Sequence, residues 1–68
     1  MSIQIVVNDE PVDIQADATI QRLLEQLAIG RRAVAVEVNG LIIPTAKFSE
    51  TQLSPKDRLE IVALVGGG

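Results

Sequence analysis

The 68-residue chain contains no cysteine, histidine, tryptophan or tyrosine, and Phe48 is its one aromatic residue. Each absence removes a class of explanation. Without cysteine there is no disulfide, no zinc-thiolate site and no thiol nucleophile. Without histidine there is no imidazole to serve as a general base at neutral pH or to anchor a metal. With no aromatic platform, and no basic cluster beyond Arg31-Arg32, a nucleic acid has nothing to stack on and few cations to meet its phosphates. The net charge of −3, from nine acids and six bases, points the same way. No run approaches the ~20 apolar residues of a membrane-spanning helix. The N-terminus lacks the basic segment and apolar stretch of a signal peptide. The expectation is a cytoplasmic protein, with no nucleic-acid or membrane partner and monomeric when free.

What is present is aliphatic. Apolar residues make up 47% of the chain, too many for disorder and enough for one compact domain. A domain of this size buries only about 60% of its unfolded surface, so its stability is marginal.

Ile3, Ile5 and Val7 alternate with Ser2, Gln4 and Val6, the period of a strand. Asn8-Asp9-Glu10-Pro11 is a turn cluster, after which Val12 to Gln15 resumes the alternation, so the two runs read as a hairpin. Thr19 has the chemistry of a helix N-cap, while Arg22 at the third helical position leaves the capping box incomplete. Ile20, Leu23, Leu24 and Leu27 form one apolar stripe on a helix of about three turns. Gly30 is the expected left-handed cap, with Arg31-Arg32 near the negative end of the helix dipole.

Val34, Val36 and Val38 alternate with Ala33, Ala35 and Glu37 in a third strand, and Asn39-Gly40 is a strong two-residue hairpin signal. Leu41-Ile42-Ile43 returns and is stopped by Pro44, which cannot donate to a ladder. Residues 45–53 read as irregular, with a helical turn that tucks Phe48 and Leu53 inward. Ser54-Pro55-Lys56-Asp57 turns into a last strand beginning at Leu59. This hairpin–helix–hairpin–strand order is that of the α+β β-grasp, or ubiquitin-like, fold. It implies a mixed sheet of about four to five strands with one main helix on one face. The first and last strands run parallel at its centre. Residues 1–65 form the domain, and residues 66–68 a flexible C-terminal Gly-Gly tail.

The side chains offer little chemistry of their own. Asp9, Glu10, Asp13 and Asp17 lie close in sequence but lack the spacing of a cation loop, and turn or solvated-face roles explain them. The three terminal glycines are no phosphate-binding loop, since no Lys-Ser/Thr follows. The catalytic residues expected are therefore none, the metal sites none, and the bound cofactors none. What stands out is Gly66-Gly67-Gly68, directly after an apolar strand. Glycine can lie against another protein's backbone in a narrow channel. The carboxylate of Gly68 is ionised at neutral pH and reacts with sulfur or an amine only after activation. Attack on the α-phosphate of ATP, held by a partner, supplies that activation as an acyl-adenylate.

The chain resembles the ThiS family, the small sulfur carriers of thiamine biosynthesis, over its whole length. The resemblance lies in the strand from Ile3 to Asn8, the helix start Thr19-Ile20-x-x-Leu23-Leu24, and Val34-Ala35-Val36-Glu37-Val38-Asn39-Gly40. It continues through Ile43-Pro44 and Leu59-Glu60-Ile61-Val62 to Val65-Gly66-Gly67-Gly68. Two positions depart from the family pattern: Thr45 stands where an arginine is common, and Lys56-Asp57 where Gly-Asp is common. The resemblance implies a carrier and not an enzyme. An E1-like, ThiF-like adenylating enzyme using ATP would activate Gly68 as a glycyl adenylate. A cysteine desulfurase or rhodanese-like donor would then leave a 1-thioglycine thiocarboxylate there, and a ThiG-like thiazole synthase would receive the sulfur. Gly66 and Gly67 would be recognised as the tail. The related carrier of molybdopterin synthesis, MoaD, and a ubiquitin-like protein modifier share the same tail chemistry. A plain β-grasp interaction module would leave the glycines without a role.

Counting alternation from Leu59 and Ile61 as core places Val62 and Leu64 on the sheet face away from the helix, with Val6 and Ala35. These four residues are the expected partner-docking surface, because contiguous exposed apolar groups mark interfaces.

Overall fold

The computed structural model describes residues 1–29 and 33–64. Its elements are β1 (Ser2–Val7), β2 (Glu10–Gln15), α1 (Ile20–Gln26), β3 (Val34–Val38), β4 (Leu41–Ile43), a 3-10 turn at Thr45–Lys47, and β5 (Arg58–Ala63). The strands form one sheet in the order β2-β1-β5-β3-β4. β1 and β5 are parallel neighbours, and every other pairing is antiparallel. This is the ubiquitin-like β-grasp arrangement.

Both hairpins turn on two residues with positive φ. Asn8 (φ 51) and Asp9 (φ 70) join β1 to β2, and Asn39 (φ 51) and Gly40 (φ 86) join β3 to β4. Such turns match the right-handed twist of their strands. The first turn is tighter than the four-residue cluster in the sequence, so Glu10 and Pro11 belong to β2. Pro11 is tolerated there because β2 is an edge strand. Its cross-strand neighbour Val6 donates its N–H the other way, to Asp57 O at 2.9 Å, so no donor is missed at this rung.

The alternating residues point as the periodicity requires. Ile5, Val7, Val34, Val36, Leu59 and Ile61 are buried on one face of the sheet, under Ile20, Leu23 and Leu24 of α1. Phe48 and Leu53, from the connection after β4, are buried with them. Leu27 and Val38 are only partly buried against this core.

The helix is shorter than its sequence pattern suggests. It spans seven residues, about two turns, and is capped at Leu27, not Gly30. Ala28 takes the left-handed conformation (φ 62). Its N–H donates to Glu25 O at 3.0 Å, and Ile29 N–H donates to Leu24 O at 2.9 Å. This pair of bonds makes a Schellman-type stop two residues before the glycine. The early stop lets Ile29 pack against the core, which offsets the roughly 1 kcal/mol that a left-handed alanine costs. Gly30, Arg31 and Arg32 lie outside the described residues.

At the other end, the free N–H groups of Ile20, Gln21 and Arg22 find acceptors. Arg22 N donates to Thr19 Oγ1 at 3.3 Å, as the cap predicts. Ile20 N reaches Thr51 O at 3.0 Å and Gln21 N reaches Phe48 O at 3.1 Å. The 45–53 connection thus docks the helix start as well as filling the core. Among the described residues no helix is long and apolar enough to cross a membrane.

Candidate functional site

β5 is the strand that precedes the glycines, and it is bonded on both sides. β3 pairs with it from Val34↔Ala63 to Val38↔Leu59, and β1 pairs with its start at Val6↔Arg58 and Val7↔Leu59. Where β1 turns away, a side chain continues the ladder. Asn8 Oδ1 accepts from Ile61 N at 2.8 Å, and its Nδ2 donates to Ile61 O at 3.1 Å. The carboxamide substitutes for the next peptide group of a parallel pair.

A second asparagine secures the start of β5. Asn39 Oδ1 accepts from Arg58 N and its Nδ2 donates to Asp57 Oδ1, both at 3.0 Å. Asp57 Oδ2 in turn accepts from Ser54 N at 2.8 Å, closing the turn before the strand. In that turn Lys56 has φ 70. Lys56 therefore takes the left-handed geometry that a glycine would adopt freely, at a conformational cost that a glycine would not carry. The other departure, Thr45, opens the 3-10 turn after Pro44.

Among the described residues, nothing covers the sheet face away from α1. Ala35 and Val62 are directly opposite each other there, and Glu37 and Glu60 are opposite at the next same-face rung. Ile42 of β4 stands opposite Glu37 on its other side. Together they line a shallow groove of about 280 Å³. Val62 is 57% exposed and Ile42 70%, so both apolar walls are open to solvent.

Of the four expected docking residues, the structure brings only Ala35 and Val62 together. Val6 shares the face but sits opposite Arg58, four residues from Val62, or about 13 Å along the sheet. Leu64 is not part of the groove. β5 ends at Ala63, so strand alternation no longer places the next side chain. Leu64 instead borders a second cavity, of about 180 Å³, whose walls include Gln21, Leu24, Val34 and Phe48. Ile42, Glu37 and Glu60 were not among the expected site residues: the Asn39-Gly40 turn sets Ile42 opposite Glu37, but only the register between β3 and β5 brings Glu60 beside them. The tail residues Gly66, Gly67 and Gly68 lie outside the described residues. Among the described residues, no group of three or more Asp, Glu, His or Cys side chains could hold a metal ion.

Comparison with known proteins identifies the family. The family model for ThiS matches residues 3–68. A protein named ycf40 from Pyropia yezoensis, itself uncharacterised, is 37% identical over 67 residues, covering 98% of this chain and 94% of that protein. The sulfur carrier protein ThiS of Bacillus subtilis (strain 168) is 42% identical over 50 residues, covering 74% of this chain and 76% of the relative. A thiazole synthase of Paramagnetospirillum magneticum is 38% identical over 65 residues, which span 96% of this chain but only 20% of that larger protein. Among solved structures, the thiamine biosynthesis protein ThiS from Geobacter metallireducens superposes with a TM-score of 0.81 at 26% identity, covering 97% of this chain and all of that one. In sequence and in fold alike, the chain belongs to the ThiS family of small sulfur carrier proteins.

Proposed function

We propose that this protein carries sulfur on the C-terminal carboxyl of Gly68 and delivers it for thiazole formation in thiamine biosynthesis. The supporting observation is the position of β5. The strand that leads to the glycines is bonded to β1 and β3 and clamped by Asn8 and Asn39, so the domain offers a rigid base for a reactive end. The family match that runs through Gly68 agrees.

The chemistry is the partners'. In a ThiF-like, E1-like enzyme, a carboxylate oxygen of Gly68 attacks the α-phosphorus of ATP and pyrophosphate leaves. The terminal sulfur of a persulfide, on a cysteine desulfurase or rhodanese-like donor, then attacks the acyl carbon and AMP leaves. A thiol cleaves the resulting S–S bond, giving the thiocarboxylate and a disulfide. A ThiG-like synthase takes the sulfur, and the thiazole synthase with a segment similar to this chain supports that acceptor. Gly66 and Gly67 fit the enzyme's channel, and the open sheet face around Ala35 and Val62, with Val6 further along it, is the docking surface.

ATP–pyrophosphate exchange with the adenylating enzyme tests the proposal. The wild-type chain should support exchange, and a chain extended by one alanine after Gly68 should not, because the carboxylate is displaced and crowded. Equal exchange by both overturns the assignment of Gly68. Intact mass after addition of a sulfur donor should rise by the difference between sulfur and oxygen. A protein-sized adduct would instead favour a ubiquitin-like modifier.

A further inference from the structure

The groove on the open face is not simply apolar, and its charges identify what fits it. Glu37 and Glu60 stand directly opposite on β3 and β5. Like charges in that relation are destabilising. Among the described residues neither forms an ion pair. Arg58, the nearest cation on the same face of β5, is held by Asp9 at 2.6 Å. Ala35 is the smallest side chain on this face, and it leaves a depression between Ile42, Val62 and the two carboxylates. The result is an acidic pair beside a small apolar hollow, on the central strand that leads to the tail.

We propose that this groove receives a lysine or arginine side chain from the adenylating enzyme, its methylenes against Ala35, Ile42 and Val62 and its charge between Glu37 and Glu60. The partner rests on the carrier reading above; the groove's preference for a cation rests on the residues themselves. A long basic side chain suits both halves of the site, since it carries an apolar stem and a charged head. A second copy of this chain does not suit it. Two such grooves face to face would bring four carboxylates together, on chains that each carry a net charge of −3.

The test is carrier-dependent ATP–pyrophosphate exchange, with the carrier concentration and the salt concentration both varied. The Glu37→Gln/Glu60→Gln double variant should raise KM for the carrier by about tenfold or more while leaving kcat unchanged. The wild-type KM should climb with salt, and that of the double variant should not. Thermal unfolding of the double variant should be unchanged or higher, because a repulsion has been removed; a merely structural role for the pair would predict the reverse. Ala35→Leu fills the hollow without altering charge and should raise KM in the same way. Wild-type exchange with an unchanged KM in both variants overturns the groove assignment and leaves the carrier reading standing. No exchange with the wild-type chain overturns the carrier reading, and this choice of partner with it.

Discussion

Asn8 occupies a left-handed turn position and at the same time bonds both backbone groups of Ile61. Substitution can separate these two roles. Asn8→Gly keeps the turn conformation and deletes both bonds, so it should cost about 1–3 kcal/mol. Asn8→Ala loses the conformational preference as well and should cost about 1 kcal/mol more than the glycine variant. Chemical denaturation of the two variants measures both figures. If the glycine variant is as stable as wild type, the side-chain ladder to β5 contributes nothing. Ala28 and Lys56 are the reverse case, ordinary side chains at φ 62 and φ 70. Ala28→Gly and Lys56→Gly should each stabilise the domain by about 0.5–1 kcal/mol. A loss of stability in either variant would mean that the left-handed assignment there is wrong.

At the scale of the element, α1 depends on both its neighbours and its own stripe. A helix of seven residues is not stable alone in water, so its stability comes from packing. Leu24 is 2% exposed, and Leu24→Ala should cost about 2–5 kcal/mol, enough to unfold a domain of this size. Leu27, at the cap and only partly buried, should cost less than half as much when truncated. Equal losses at the two positions would place the end of the helix further along the chain. The start of the helix was half legible in the sequence: Thr19 announced its cap, but nothing local shows that Thr51 and Phe48 supply carbonyls to Ile20 and Gln21. The end was misplaced for a related reason. Gly30 is the better left-handed residue by propensity, yet the burial of Ile29 sets the stop at Ala28.

At the scale of the molecule, the sheet has one covered face and one open face. The covered face holds the core and stability; the open face and the end of β5 hold the proposed recognition and chemistry. The two should therefore separate in experiment. Variants of the groove and of the tail should change exchange kinetics while leaving unfolding nearly untouched, and core variants should do the opposite. Thermal unfolding and exchange measured on the same set of variants check this. A core variant that still folds at the assay temperature but loses exchange as a groove variant does would show that the faces are coupled.

Legible in the sequence were the order of elements, the place of both turns and the two-residue length of the second, the inward and outward sides of β1, β3 and β5, and the likeness to ThiS. All of these are local properties. A strand period of two and a turn needing positive φ are written within a few neighbouring residues. Tertiary structure decided what depends on pairing between distant segments: Asn8 completing the ladder of β5, the acceptors for the helix start, and the meeting of Ile42, Glu37 and Glu60 across three strands. It also divided the expected docking residues, joining Ala35 to Val62 and setting Val6 and Leu64 apart. Alternation states which face a residue is on; only the register between strands states which residues are neighbours there.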